Sequence, residues 1–318
     1  MASKQVIGEA HGKLILVGEH IVVYDKPAIA IPCPLKIKAR IQEKPGEITI
    51  ESTIFTGKLC DMPEKMAGLF ECIHLSLELC NEKKKGIHIE INSKIPEGTG
   101  LGSSAAVATA IVRGIFQYYQ TALSQEQLFS LVELAETYAH GRPSGIDMIS
   151  VASEEPIFFQ KSKGAITLTS PHAFSMVVAD TGKLGVTKKA VTHVKALKIQ
   201  RPMIIEGIID EIEDIVMSAK EAILEGDAYL LGKLMLRNHK QLQKLEVSDS
   251  MLDHLVEVAV QYGAYGAKLT GGGMGGCMIA ISKDIEAAKF LSKKLMSEGA
   301  KAAWYFSTNS NYVEGSLI

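Results

Sequence analysis

Hydrophobic and polar positions alternate with a period of two through much of the first hundred residues. GIHIEINS (86–93) sets Ile87, Ile89 and Ile91 on one face, as a half-buried strand requires, because successive strand side chains point to opposite sides. EITIEST (47–53) repeats that pattern, IAIPCPLKIKARIQ (29–42) alternates well enough for a strand, and LILVGEHIVV (14–23) reads as strand on both sides of a Gly-Glu-His interruption. The period then changes. An apolar helix is expected from the serines at 103 and 104 through about Tyr119. A second helix opens at Ser124, whose spacing to Gln127 is that of a capping box. Leu128, Leu131, Val132, Ala135 and Ala139 form its apolar stripe, and Gly141 and Pro143 stop it near His140.

The second half alternates differently. SMVVAD (175–180) reads as a short strand, and 206–225 and 228–245 read as amphipathic helices, the first with Ile208, Ile209, Ile212, Ile215 and Val216 on one stripe. After Gly263 come KLT, a glycine cluster, the strand CMIAIS, the helix IEAAKFLSKKLMSEG and the strand AAWYF. A β-rich opening, a helical middle and a helix–strand alternation around a small sheet predict an α+β protein. A division near residue 170 gives expected domains of 1–170 and 171–318.

Composition narrows the function. A net charge of −2 leaves no electrostatic footprint for nucleic acid or a membrane surface. The dense basic run Lys83–Lys85 follows Glu82 and reads as a solvated turn. No apolar stretch approaches the roughly 20 residues that span a bilayer, and MASKQVIGEAHGK carries no signal-peptide core. Five scattered cysteines without a CxxC pair imply buried, reduced thiols and a cytoplasmic protein.

The chemistry sits in four clusters. EGTGLGSS (97–104) puts Gly98, Gly100 and Gly102 directly before a helix. Glycines let a ligand approach the backbone, and the N–H groups of a helix start attract anions. Ser103 and Ser104 add hydroxyls for a phosphate oxygen or a hard cation. No lysine follows Gly102, so this is not a Walker A loop, and Ser103 stands where a dinucleotide fingerprint needs glycine. HRD and DFG are absent, which removes the protein kinases. A ligand-free strand-to-helix turn stays open from this loop alone.

HGKLILVGEH carries Lys13, Glu19 and His20 at the end of an apolar strand. AETYAHGRPSGIDMISVAS (135–153) carries Glu136 on the rim of the helix stripe, as a surface residue or a metal ligand, and Asp147 after a Pro-Ser-Gly turn. A carboxylate inside that apolar run needs a partner, for which Lys13 is suitable. Glu136 and His140 have zinc-ligand spacing, but further ligands are missing. KLTGGGMGGC (268–277) is a second close-approach loop or a flexible hairpin turn. A phosphate cradle, a hydroxyl–carboxylate pair for a hard metal, a Lys–Asp pair and a second glycine loop are the parts that phosphoryl transfer needs.

GKLILVGEH, EGTGLGSSAA and KLTGGGMGGC resemble, in order, the three motifs of the GHMP kinase family. KLILVGEHIVVYDKPAIA, HGRPSGID, DTGKLGVTKKAV and NHKQLQKLEVSDSMLDHL are most similar to its mevalonate-phosphorylating members, and the resemblance runs from about residue 8 to 282. It implies a GHMP kinase fold, with an S5-like N-terminal domain and a ferredoxin-like C-terminal domain, and ATP-dependent phosphorylation of (R)-mevalonate in isoprenoid synthesis. Carried over by motif, Asp147 and Lys13 are the expected catalytic residues. Ser104 and Glu136 are the expected Mg²⁺ ligands. Ser93, Gly98, Thr99, Gly100, Leu101, Gly102, Ser103 and Ser104 are expected on ATP, and Glu19, His20 and Thr187 on mevalonate. The resemblance also implies a homodimer. Three residues depart from the family pattern: Asp25 replaces a glycine, Met274 stands inside the second glycine loop, and Arg142 replaces an asparagine. Arg142, Lys183, Lys188 and Lys189 keep a phosphorylated acceptor open, and a ligand-binding sensor without turnover is the other alternative.

Overall fold

The computed structural model describes residues 4–81, 86–96, 98–140, 144–309 and 313–317. The basic run Lys83–Lys85, Glu97, Gly141, Arg142 and Pro143 lie outside the described residues, as do the side chains of Ala139 and His140. By contacts the chain forms two compact units that interleave along the sequence. One takes in Met1–Gly12, Leu35–Pro96 and Gly102–Ala152, and the other Lys13–Pro34, Glu97–Leu101 and Ser153–Ile318. This partition differs in kind from a single cut near residue 170, which stays a proposal.

Strands β1 (Gln5–Val17) and β2 (Ala28–Glu43) pair with each other and contribute to both units. In the first unit, the later part of β2 runs antiparallel to β5 (Ile87–Ser93), from Ile37 opposite Ser93 to Glu43 opposite Ile87. β3 (Thr49–Glu51) lies parallel to β5, and β4 (Thr56–Lys58) antiparallel to β3. Ile37, Ala39, Ile41, Ile87 and Ile89 are all fully buried, as the alternation predicts. Among the described residues the α-helices of this unit are α1 (Ala67–Leu79), α2 (Ser103–Tyr118), α3 (Gln125–His140) and α4 (Ile146–Ala152). The capping box of α3 forms in both directions, with the Ser124 backbone N–H donating to Gln127 Oε1 at 2.9 Å and the Gln127 N–H to Ser124 Oγ at 3.1 Å. Leu128, Leu131, Val132 and Ala135 are buried, and α3 packs on α1 and α2.

In the second unit, β6 (Ile157–Gln160) pairs antiparallel with the start of β2 and with β7 (Gly164–Thr167). β8 (Ser175–Asp180) is followed by α5 (Thr187–Gln200), α6 (Pro202–Glu225), α7 (Ala228–Lys244) and α8 (Ser250–Gln261). Then come β9 (Gly266–Thr270), β10 (Cys277–Ser282), α9 (Ile285–Ser297), β11 (Ala302–Ser307) and β12 (Val313–Leu317). A five-stranded antiparallel sheet has the order β12-β11-β8-β10-β9. Asp227, Asp249 and Asp284 each cap the helix that follows them with a side-chain oxygen. The architecture is α+β.

One predicted strand is corrected. Residues 14–23 do not continue as strand beyond the Gly-Glu-His step: β1 ends at Val17, and Ile21–Tyr24 form a short 3₁₀ helix. Gly18 at φ 100° and His20 at φ 66° turn the chain out of the extended region. Asp25, where the family pattern has glycine, stands at φ 61°. Its side chain accepts from the Ser162 N–H at 2.8 Å, a bond across 137 residues of sequence that ties this left-handed position to the β6–β7 turn.

Candidate active site

The first glycine loop passes from the second unit (Gly98–Leu101) into the first (Gly102 onward). Gly98, Gly100 and Gly102 have φ of 68°, 79° and 75°, which explains three glycines at alternate positions. Gly102 caps the sixteen-residue α2 without a side-chain hydrogen bond, and the first turn carries no acid. The helix start therefore presents backbone N–H groups that no side-chain cap takes up, a fit for the oxygens of a phosphate group.

Within the second unit the two glycine loops are built against each other. Gly271–Gly276 joins the antiparallel strands β9 and β10, so it is a hairpin connection, but its five glycines are buried and its backbone is held. A Cβ on Gly276 would stand 2.8 Å from the Thr99 carbonyl oxygen. The Gly276 N–H donates to Lys183 O at 2.8 Å, and its carbonyl accepts from the Thr181 N–H and hydroxyl at 3.0 and 2.7 Å. Leu101 O accepts from the Lys13 N–H at 2.9 Å, and Gly98 O from the Gly185 N–H at 2.8 Å. Met274, the departure from the family pattern, adopts φ 55° and donates its N–H to Val247 O at 2.8 Å. The loop keeps the left-handed backbone that a glycine would have.

The Gly-Glu-His turn lies in the same unit. Glu19 and His20 are 3% and 5% exposed. Glu19 forms an ion pair with Lys268, whose ammonium also donates to the Leu269 carbonyl. Burial raises the Glu19 pKa and lowers that of Lys268, each opposed by the charge of the other, and the Lys13 charge acts on both. His20 Nε2 bonds the Gly272 carbonyl at 2.9 Å, so Nε2 carries the proton and Nδ1 is an acceptor. Burial pushes the His20 pKa down to about 4 and keeps the ring neutral. Thr187, the first residue of α5, packs on the same Gly272, whose added Cβ would come 2.6 Å from Thr187 Oγ1. The structure thus gathers His20 and Thr187 about one glycine. Among the described residues, Glu19 Oε2 and His20 Nδ1 have no hydrogen-bond partner. Two buried acceptors in this turn suit a ligand with hydroxyl donors.

In the first unit, Ser104 is exposed in the first turn of α2, and Glu136 on α3 is 3% exposed. Both offer the hard oxygen donors that Mg²⁺ prefers. Asp147 is half-buried in the first turn of α4, just after Gly145 at φ 90°. Ser93 closes a local turn, donating to Ile95 O at 2.8 Å and accepting from the Ile95 N–H at 3.1 Å. The predicted partners Lys13 and Asp147 belong to different units. No group of three or more His, Cys, Asp or Glu among the described residues is placed to hold a metal, and the zinc reading of Glu136 with His140 falls on a side chain outside them. No disulfide joins any of the five cysteines; Cys33, Cys72, Cys80 and Cys277 are buried as expected, whereas Cys60 is exposed. Sequence reasoning missed Lys268. Its signal was its place in KLT, directly before the glycine loop, on a strand whose five residues are all buried.

Two family profiles match the chain: "GHMP kinases N terminal domain" over residues 68–154 and "GHMP kinases C terminal" over 219–301. A protein named mevalonate kinase in Thermococcus sibiricus is 36% identical over 303 residues, covering 88% of this chain and 90% of the relative. Another so named, from Pyrococcus horikoshii, is 37% identical over 303 residues, covering 88% and 89%. The crystal structure of L. major mevalonate kinase in complex with R-mevalonate superposes with a TM-score of 0.84 at 27% identity, over 96% of each chain.

Proposed function

The chain belongs to the GHMP kinase family, and from that premise we propose that it transfers the γ-phosphoryl group of ATP to the 5-hydroxyl of (R)-mevalonate, giving 5-phosphomevalonate. The observation that carries this reading is the near end-to-end likeness to mevalonate kinases, 36% identical over 88% of the chain. The turn that holds Glu19 and His20, with its two unfilled acceptors, supports a hydroxylated acceptor. Of the basic residues that would favour a phosphorylated acceptor, Lys183 is engaged with Asp249 at 3.5 Å, and Lys188 and Lys189 are exposed.

The roles follow from chemistry. Gly98–Ser104 and the helix start behind them bind the phosphates through backbone N–H groups. Ser104 and Glu136 hold Mg²⁺, which when bound offsets the phosphate charge. Asp147 and Lys13 are the catalytic residues, Asp147 orienting the acceptor hydroxyl and taking its proton. Glu19, His20 and Thr187 orient mevalonate, and Ser93 contacts the nucleotide. The protein works in the cytoplasm as a homodimer and supplies isoprenoid synthesis. Among the described residues no helix is long and apolar enough to cross a membrane.

A coupled ADP-release assay with Mg-ATP against mevalonate, phosphomevalonate, galactose and homoserine tests the proposal. Turnover with mevalonate alone is expected. Turnover with another acceptor, or none with mevalonate, overturns it.

A further inference from the structure

β9 is an edge strand of its sheet, paired on one side with β10. On its other side, the backbone groups of Leu269 are taken up by two side chains. Its carbonyl accepts from Lys268 Nζ, and its N–H donates to His239 Nδ1 at 3.3 Å. His239 lies on α7 and is 4% exposed. Because Nδ1 accepts, Nε2 carries the ring proton, which goes to Asp253 Oδ1 at 3.1 Å. Asp253 Oδ1 also accepts from Ser248 Oγ at 2.5 Å. The chain of bonds runs Ser248, Asp253, His239, Leu269, Lys268, Glu19. It begins on the α7–α8 connector, and the same connector holds Met274 through Val247 O.

We infer that His239 is a positioning residue for the acceptor site, fixing the Leu269 peptide so that Lys268 meets Glu19 and holds its carboxylate toward mevalonate. The inference rests on the reading of Glu19 as an acceptor contact. A neutral imidazole is required, because an imidazolium would turn an N–H toward the Leu269 N–H and place a cation near Lys268. Burial and the Lys268 charge keep the ring neutral against the pull of Asp253, with the pKa lowered to about 4. Asp253 chooses the tautomer, as carboxylates do for histidines bound to metals.

The test uses the whole protein with His239→Ala, His239→Asn and Asp253→Asn. Asparagine places Oδ1 where Nδ1 stood and can still accept from Leu269. In His239→Ala we expect KM for mevalonate to rise about tenfold, as small displacements of substrate-orienting groups do. KM for ATP should change less than twofold, and His239→Asn should restore most of the loss. Asp253→Asn, which leaves the ring and its packing in place, should raise the mevalonate KM in the same direction by a smaller factor. An unchanged mevalonate KM in both His239→Ala and Asp253→Asn overturns the inference. So does a parallel rise of both KM values with a lowered melting temperature, which would be a packing defect. Failure of the wild-type protein to phosphorylate mevalonate defeats the reading of the reaction instead, and is seen before any variant is made.

Discussion

Lys268 and Glu19, 249 residues apart in sequence, form an ion pair whose side chains are 0% and 1% exposed. Each charge is tolerable only because the other is there. Replacing one partner, by Glu19→Gln or Lys268→Met, leaves the other uncompensated and should cost about 3–5 kcal/mol. The double variant should cost less than the sum of the two. Urea unfolding measures all three, and single variants within 1 kcal/mol of wild type would mean that water reaches the pair.

Two buried histidines make stability depend on acid. His20 and His239 are each pushed down to about 4 from the ordinary 6.5, chiefly by burial. The unfolded chain therefore binds more protons between these values, and stability present above pH 6.5 is lost as the pH falls toward 4. The limit is about 3 kcal/mol per histidine. Urea midpoints measured from pH 7 to pH 4 should fall more steeply in wild type than in His239→Asn, and parallel curves would count against the assignment.

The glycines of the two loops differ in what they avoid. Gly100 has φ 79° but room for a methyl group, the nearest atom to an added Cβ being Thr270 O at 3.6 Å, an ordinary van der Waals contact. Gly100→Ala should cost only the left-handed strain, about 1–2 kcal/mol. Gly273 has φ 78°, and its Cβ would overlap the Val247 carbonyl, which is backbone and cannot swing away. Gly273→Ala should cost at least twice as much and displace the Val247–Met274 bond. Thermal melts of the two variants compare them directly, and equal losses would refute the difference in packing.

Asp147→Asn keeps the shape of the side chain and removes its charge and basicity. A loss of kcat on the order of a thousandfold is expected, with ATP affinity by calorimetry unchanged. A loss under tenfold would show that the carboxylate neither takes the proton nor organises the site.

Several elements were legible because local rules decide them. The Ile87–Ile91 alternation and the stripe of α3 with its Ser124–Gln127 box follow from a side-chain period or a cap, and the strands at 175–180 and 277–282 from short unbroken apolar runs. The three glycine-bearing motifs were legible too, because left-handed backbone and close approach favour glycine, although Met274 shows that another residue can take such a position. Where the rule had a local escape, the pattern misled. HIVV reads as strand, yet His20 occupies φ 66° and turns the chain into a 3₁₀ helix.

The sequence by itself determined the type of the elements with a clear period or cap, the family and the residues on which the chemistry was expected. Only the tertiary structure decided which of those residues share an environment. Lys268 looks like an ordinary strand lysine until β9 is buried against a turn 249 residues away in sequence, and His239 like a surface helix residue until α7 covers the strand edge. The physical reason is that a pKa, an ion pair and a satisfied backbone group depend on distance and dielectric in space, which the order of residues does not contain.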